Sequence, residues 1–502
     1  MKRREFCQLA LMSPFALSSP MLLAHNEKAF KQIDWKNARL SLRAYRSVSV
    51  SGRWQLDDIE GRVPPEINGR LIRVGPGLKE NHQTQLQHFF DGDAYLQCLE
   101  FKDGRVSLQA EFIETPERVQ EKKAGKMLYN EFGTMAPKRT RKLRNQPNIS
   151  IIPWRGNYLA LSEGGHPVLL KGDDLSYIEQ HDFNGTLPSN VSFTAHPKID
   201  PTTGDGIAFG IAQGLSMAII VYRMNVQTGE LEELYNLAQT KVFMIHDFLV
   251  SENHIVFIIP PAYFKISDII FNRGSMANAL TYDSNLGTRL IVLEKVKGGI
   301  RSEHRLPSSL TFHHGNMFEE DGVLSFTTFQ ADNASLLGHI SKWHEEPKKG
   351  LKKPNAFQWE FDLKSHQIVS KKRLASAHDF PFYNPEYLGK KNQFLYCAQM
   401  GTENDPMQFI GVSKLDINQG VIGAYHASAG ETFGEPVYFD PNSKTKDSGY
   451  LFVPGYSTGR DLSFVDILEA RVMERSARVW LGNYFPVGFH GHFHQAKTIP
   501  NQ

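Results

Sequence analysis

Four of the chain's 19 histidines sit in unusually composed surroundings: Thr-Ala-His196-Pro-Lys, Ile-His246-Asp-Phe, Phe-His313-His314-Gly-Asn316 and Gly-Phe-His490-Gly-His492. Neutral imidazole is a good ligand for borderline metals. Gathered together, the four would make an all-nitrogen site open to iron, copper, nickel or zinc, and donor type alone does not choose among these ions. Zinc hydrolases often place two ligands within one helical turn, as in His-Glu-x-x-His, whereas ligands spread from His196 to His490 have to converge from separate strands. Spacing by itself does not separate such a site from ordinary structural histidines. The three cysteines, Cys7, Cys98 and Cys397, are far apart and in no paired pattern, so neither a thiolate site nor a disulfide framework is available. Any metal here is held by nitrogen or oxygen.

The elements that would carry these histidines read as strands. Short apolar or alternating runs are separated by turn residues: Gly156-Asn157, Gly172-Asp-Asp174, Thr228-Gly-Glu230 and Glu320-Asp-Gly322. Segments such as Tyr158-Leu-Ala-Leu-Ser-Glu163 and His254-Ile-Val-Phe-Ile-Ile259 are rich in β-branched and aromatic residues and too short for helices. Helical candidates are few, one near Arg118–Tyr129 and an apolar one near Phe264–Phe271. The body is expected to be all-β, and many short strands in one large chain favour a propeller or a big barrel, in which inner strands can aim ligands at a common axis. No linker splits residues 25–502, which are expected to form a single domain.

The formal charge of +2 gives no case for nucleic acid, which needs a strongly basic face. Nor does any run approach the roughly 18 apolar residues of a spanning helix. Lys2, Arg3 and Arg4 precede a mildly apolar, serine- and proline-containing stretch from Leu9 to Ala24, which resembles a twin-arginine signal. Residues 1–24 are therefore expected to direct export, to the periplasm in a cell that has one. Retention in the cytoplasm, with a plain tail, is the alternative. Composition selects no oligomeric state.

The text around the histidines resembles the carotenoid cleavage oxygenase family, which includes carotenoid and apocarotenoid dioxygenases, lignostilbene dioxygenases and retinoid isomerase relatives. The resemblance runs over roughly residues 50–495. It is carried by Gly69-Arg-Leu-Ile-Arg-Val-Gly-Pro-Gly77, His88-Phe-Phe-Asp-Gly-Asp93, Phe193-Thr-Ala-His-Pro-Lys-Ile-Asp-Pro201, Met244-Ile-His-Asp-Phe248, Leu286-Gly-Thr-Arg289, Phe312-His-His-Gly-Asn316, Phe433-Gly-Glu-Pro436 and Gly488-Phe-His-Gly491. It implies a seven-bladed β-propeller, with a few short helices capping one face and one Fe(II) per chain on its axis, bound by His196, His246, His313 and His490. The family pattern His-x-x-Asn, with Asn316 setting the register, selects His313 over His314. His492 and His494 are expected to stand outside the ligand set.

The same resemblance implies carboxylates that accept the outer ring N–H of the ligands, a contact that fixes tautomer and raises basicity. Glu163 and Glu435 match two such positions. The third is usually a glutamate, and Asp379 stands there, one methylene shorter, so that the strand shifts or a water bridges. Ile149 matches a residue whose bulk crowds an open coordination position. The implied activity is cleavage of a conjugated C=C bond of a carotenoid or apocarotenoid by dioxygen, giving carbonyl products, with a lipophilic polyene held in an apolar tunnel. The alternative is lignostilbene-type cleavage of phenolic stilbenes, whose family hallmark is a lysine just before the first glutamate; Ser162 occupies that place. A propeller that only binds ligands would be expected to have lost some of the four histidines. A basic run, Lys122, Lys123, Lys126, Lys138, Arg139, Arg141, Lys142 and Arg144, is expected either to be a solvated loop or to make a peripheral membrane contact.

Overall fold

A computed structural model describes residues 34–138, 140–212, 217–299, 301–441 and 446–495. The expected signal segment, residues 1–24, lies outside them. Among the described residues, seven sheets have four to six strands each, and every pairing is antiparallel between strands close in sequence, apart from two that join the ends of the chain. There, Gly69–Pro76 pairs with Gly491–Gln495, and Ile59–Gly61 pairs with Glu474–Trp480. Up-and-down sheets whose first and last members exchange strands are the closure device of a β-propeller.

The hairpins follow from local chemistry. Asp321 and Gly322 take φ of +51° and +77° between Leu310–Glu320 and Val323–Ala331, and Arg155 and Gly156 take +49° and +77° between Ser150–Trp154 and Asn157–Leu161. Two consecutive positive φ values twist a two-residue turn to match its strands. The expected helix at Arg118 is Pro116–Ala124, capped by Thr115, whose side chain accepts from the Arg118 N–H. It stops short of Tyr129 because Gly125, at φ +64°, takes the left-handed cap. The second helix is Ile266–Ile270.

The core is divided among neighbouring sheets. Leu71 and Phe101 of one sheet meet Phe452 and Val465 of the next; Phe209 and Val221 meet Phe257 and Ile291; Val256 and Leu290 meet Phe326 and Trp359; Phe329 and Ala356 meet Leu395 and Leu415. Strands with both faces covered are apolar along almost their whole length, as in Gly206–Ala212 and, apart from Arg223, Ala218–Met224. The contacts between neighbouring sheets are thus mainly hydrocarbon, while the buried histidines gather at the inner edges.

Candidate metal centre

Each of the seven sheets sends one residue to a single point. His196 lies between Val191–Phe193 and Lys198–Ile199, His246 just before Leu249–Val250, His313 within Leu310–Glu320, and His490 just before Gly491–Gln495. The other three sheets supply Glu163, two residues after Asn157–Leu161, Asp379 within His378–Phe382, and Glu435 between Glu431–Phe433 and Val437–Phe439. A regular ladder would turn alternate side chains away. Here the ladder is interrupted: Leu310–Glu320 slips register on both sides of His314, and His378–Phe382 slips after Asp379. Gly75 and Gly488 approach so closely that a Cβ on Gly75 would stand 2.6 Å from the Gly488 Cα, which lets the chain entering His490 press against the first sheet.

The four imidazoles form a ring. Nε2 of His196 is 2.9 Å from that of His246, which is 3.1 Å from that of His313, which is 3.3 Å from that of His490. Ring centroids are 4.5 Å apart for His196 and His490, and 5.8 and 5.9 Å apart across the two diagonals. With metal–nitrogen bonds of about 2.1 Å, neighbouring nitrogens stand about 3.0 Å apart at a right angle and about 3.4 Å apart at a tetrahedral one. The observed spacings fall in the range that four nitrogens around one ion require.

Outer ring nitrogens meet carboxylates. His313 Nδ1 is 2.7 Å from Asp379 Oδ1, His490 Nδ1 is 2.7 Å from Glu435 Oε1, and His246 Nδ1 is paired with Glu163 Oε1. A carboxylate accepting Nδ1–H leaves the Nε2 lone pair pointing inward, the tautomer a metal requires. Among the described residues no carboxylate reaches His196. Asp379 makes its contact directly, without the bridging water that its shorter side chain suggested. Phe380, at φ +53°, turns the strand enough to bring it in, and its ring packs 4.7 Å from His313 and 5.2 Å from His490.

Burial, together with the neighbouring His246 and His490, holds His196 well below the usual imidazole pKa, and His490 is lowered the same way. At His246 burial also works downward, but the Glu163, Asp247 and Asp379 carboxylates together outweigh it and the value rises. Burial pushes Glu435 up to about 7 against the opposing pull of Arg73. Arg73 is itself buried, donating to the carbonyls of Glu435 and Phe489 at 3.2 and 2.8 Å. Around the ring Arg73 lies beside Glu435 and Lys198 pairs with Asp247. Donor set and spacing therefore fit a divalent metal.

The site opens on a cavity of about 540 Å³ walled by Phe90, Phe132, Phe243, Phe264, Phe312 and Met276, with Ile149, Ser162, Glu163 and His246 at its inner end. Ile149 is buried, and its carbonyl accepts from the His490 N–H at 3.1 Å. Ser162 donates to Asn145 Oδ1 at 3.2 Å. His314, His492 and His494 lie outside the ring; His494 Nδ1 is 3.0 Å from the Tyr158 hydroxyl. Asn316 donates to the carbonyls of Tyr387 and Lys390, so it braces a loop. Of the basic run, Arg144 is buried among Asp93, Glu121 and Glu131 and belongs to the interior rather than to a solvated or membrane-facing loop. Arg139 lies outside the described residues. The parts that carry no role in the sequence reading are Arg73, Lys198, Asp247 and Phe380; the first three sit inside motifs that reading uses.

A mostly β frame that gathers four imidazoles, three of them backed by carboxylates, beside an apolar cavity fits a metal site next to a binding pocket. The chain belongs to the retinal pigment epithelial membrane protein family, that of the carotenoid cleavage oxygenases, whose pattern matches residues 45–495. It is 26% identical to the apocarotenoid-15,15'-oxygenase of Synechocystis, covering 95% of this chain and 100% of that protein. It is 32% identical to resveratrol cleavage oxygenase 1 of Aspergillus fumigatus, covering 89% and 93%, and 27% identical to carotenoid 9,10(9',10')-cleavage dioxygenase 1 of Phaseolus vulgaris, covering 88% and 87%. Cobalt-substituted Synechocystis ACO superposes with a TM-score of 0.85 at 25% identity, covering 91% of this chain and 98% of that one. The chain is a carbon–carbon double-bond-cleaving oxygenase of this family.

Proposed function

We propose that the chain binds one Fe(II) through His196, His246, His313 and His490 and cleaves a conjugated C=C bond of an apocarotenoid or carotenoid to two carbonyl products. The observation that carries this is the convergence of four Nε2 atoms beside an aromatic-lined cavity that reaches His246. We also take the seven larger sheets as seven blades. Bound Fe(II) would supply the activation of dioxygen that the alkene otherwise lacks. The rest is done by the chain. Asp379, Glu435 and Glu163 orient three imidazoles and raise their basicity. Burial keeps His196 and His490 unprotonated, so protons do not compete for their nitrogens. The phenylalanine walls exclude water and hold a polyene by apolar contact, at about 25 cal/mol per Å² removed from water. Ile149 narrows the approach on the His490 side.

Ser162 is short, uncharged and already engaged by Asn145, so it offers no cation to a phenol. That favours polyenes over hydroxystilbenes, although one relative is named for resveratrol cleavage. Incubating the iron-loaded protein with apocarotenoids and with resveratrol, and identifying products by mass spectrometry, tests the choice. Aldehydes from the apocarotenoid at higher kcat/KM are expected, and equal or faster cleavage of resveratrol overturns it.

Substrate entry fits a membrane surface. Ile270, 55% exposed, lines the cavity, and Phe271 beside it is 64% exposed. Among the described residues no helix is long and apolar enough to cross a membrane. Export by residues 1–24 completes the reading; a reporter fused to residues 1–30 should leave the cytoplasm only while Arg3 and Arg4 are intact.

A further inference from the structure

The ladders that build the sheets do not fix the ligands relative to one another. His196, His246 and His313 belong to three different sheets, and no backbone pairing joins those sheets at the ligand positions. Yet their Nε2 atoms must stand about 3 Å apart to serve one ion. One side chain spans the gap. Asp247, next to His246 and only 4% exposed, takes the Lys198 ammonium on Oδ1 at 2.6 Å and the backbone N–H of His314 on Oδ2 at 2.9 Å. Its own position is fixed by the Phe248 N–H, which donates to Oδ1 at 2.8 Å. Lys198 is two residues past His196, and His314 is one past His313. Both oxygens of one carboxylate are therefore occupied by groups one or two residues from three separate ligands. The Lys198 ammonium also lies 5.7 Å from the centroid of the Phe248 ring, so the cation is packed as well as paired.

We propose that Asp247 and Lys198 are positioning residues, a cross-sheet latch that sets the spacing of His196, His246 and His313 and so the affinity and geometry of the metal. Lys198 does more than hold distance. Its ammonium is the cation paired with Asp247, so removing it leaves that buried carboxylate without a counter-charge. That carboxylate can then turn toward the ion, or draw its strand out of register with the other two. An arginine restores both charge and hydrogen bond with a longer reach.

The inference rests on the four-histidine reading, and the test separates the two. Cobalt(II) is the probe, because its d–d bands report ligand number and geometry without turnover. The unaltered chain is loaded with Co(II) and titrated against a chelator; Lys198→Met, Lys198→Arg and Asp247→Asn follow, each with a melting temperature taken metal-free. We expect Lys198→Met and Asp247→Asn to bind Co(II) roughly 10- to 100-fold more weakly, as for loss of a ligand-orienting partner, with shifted d–d bands. Lys198→Arg should recover the spectrum and most of the affinity. Lys198 is partly exposed, so Lys198→Met decides the matter if Asp247→Asn does not fold. Unchanged affinity and bands in Lys198→Met overturn the latch, as does a loss that arginine does not rescue. No Co(II) binding by the unaltered chain overturns the metal centre itself.

Discussion

In the sheet that carries His313, the inner strand and its neighbours are built by different rules. Val323–Ala331 pairs with Asn355–Asp362 residue for residue with no break; its Phe326 packs in an apolar cluster with Trp359 of the partner strand, and its buried Ser325 and Thr327 are satisfied within the sheet by Gln358. Leu310–Glu320, on the inner side of the same sheet, slips register twice within a few residues and buries His313, His314 and Asn316. The neighbouring inner segment holds Ala377 and Phe380 at φ of +57° and +53°. A regular strand is cheap and robust, but it can aim only every second side chain to a face. Converging seven residues on one point needs the irregular backbone, and that backbone needs polar side chains to hold it. The outer wall should therefore govern stability and the inner rim should govern metal binding, with little exchange between the two.

Substitutions can break that division, and the ligands come first. His196→Ala, His246→Ala, His313→Ala and His490→Ala should each abolish metal retention and turnover, measured by metal content after desalting. Next, Glu435→Gln and Asp379→Asn should each weaken metal binding by roughly 10- to 100-fold while the fold persists, and by similar factors, because both carboxylates stand 2.7 Å from their imidazoles. A much smaller loss for Asp379→Asn would show that the turn at Phe380 does not deliver a working contact. His314→Ala should cost little metal, since its backbone and not its ring serves Asp247; loss of metal there with retention in His313→Ala would reverse the register. At the outer wall, Phe257→Ala should lower stability by about 3–5 kcal/mol in denaturant titration and leave metal stoichiometry unchanged. Metal loss at native conditions in that variant would erase the distinction between wall and rim.

The same division explains what could be read from the chain. Hairpins were legible because Glu320-Asp-Gly322 and Gly156-Asn157 mark their turns locally, although the second turn is centred one residue earlier, on Arg155-Gly156, and the β fold because strand-length apolar runs have no helical alternative. The histidines were legible through the motif text around them, not through spacing. Four things were not legible. The helix from Pro116 ends at a glycine whose left-handed cap overrides the helical residues beyond it. Arg144 reads as one member of a basic run, yet its partners Asp93 and Glu131 come from distant loops. The direct reach of Asp379 depends on Phe380 adopting a backbone conformation that a phenylalanine in sequence does not announce, and the Lys198–Asp247–His314 contact exists only once three sheets are side by side.

The most direct test is iron K-edge X-ray absorption on the protein loaded anaerobically with Fe(II). The account predicts about one iron per chain, surrounded by four imidazole nitrogens at about 2.1 Å and no carboxylate ligand, with one imidazole lost in each histidine variant that retains any iron. A shell containing Glu163, Asp379 or Glu435 oxygen, or iron whose surroundings are unchanged by His313→Ala, would contradict it.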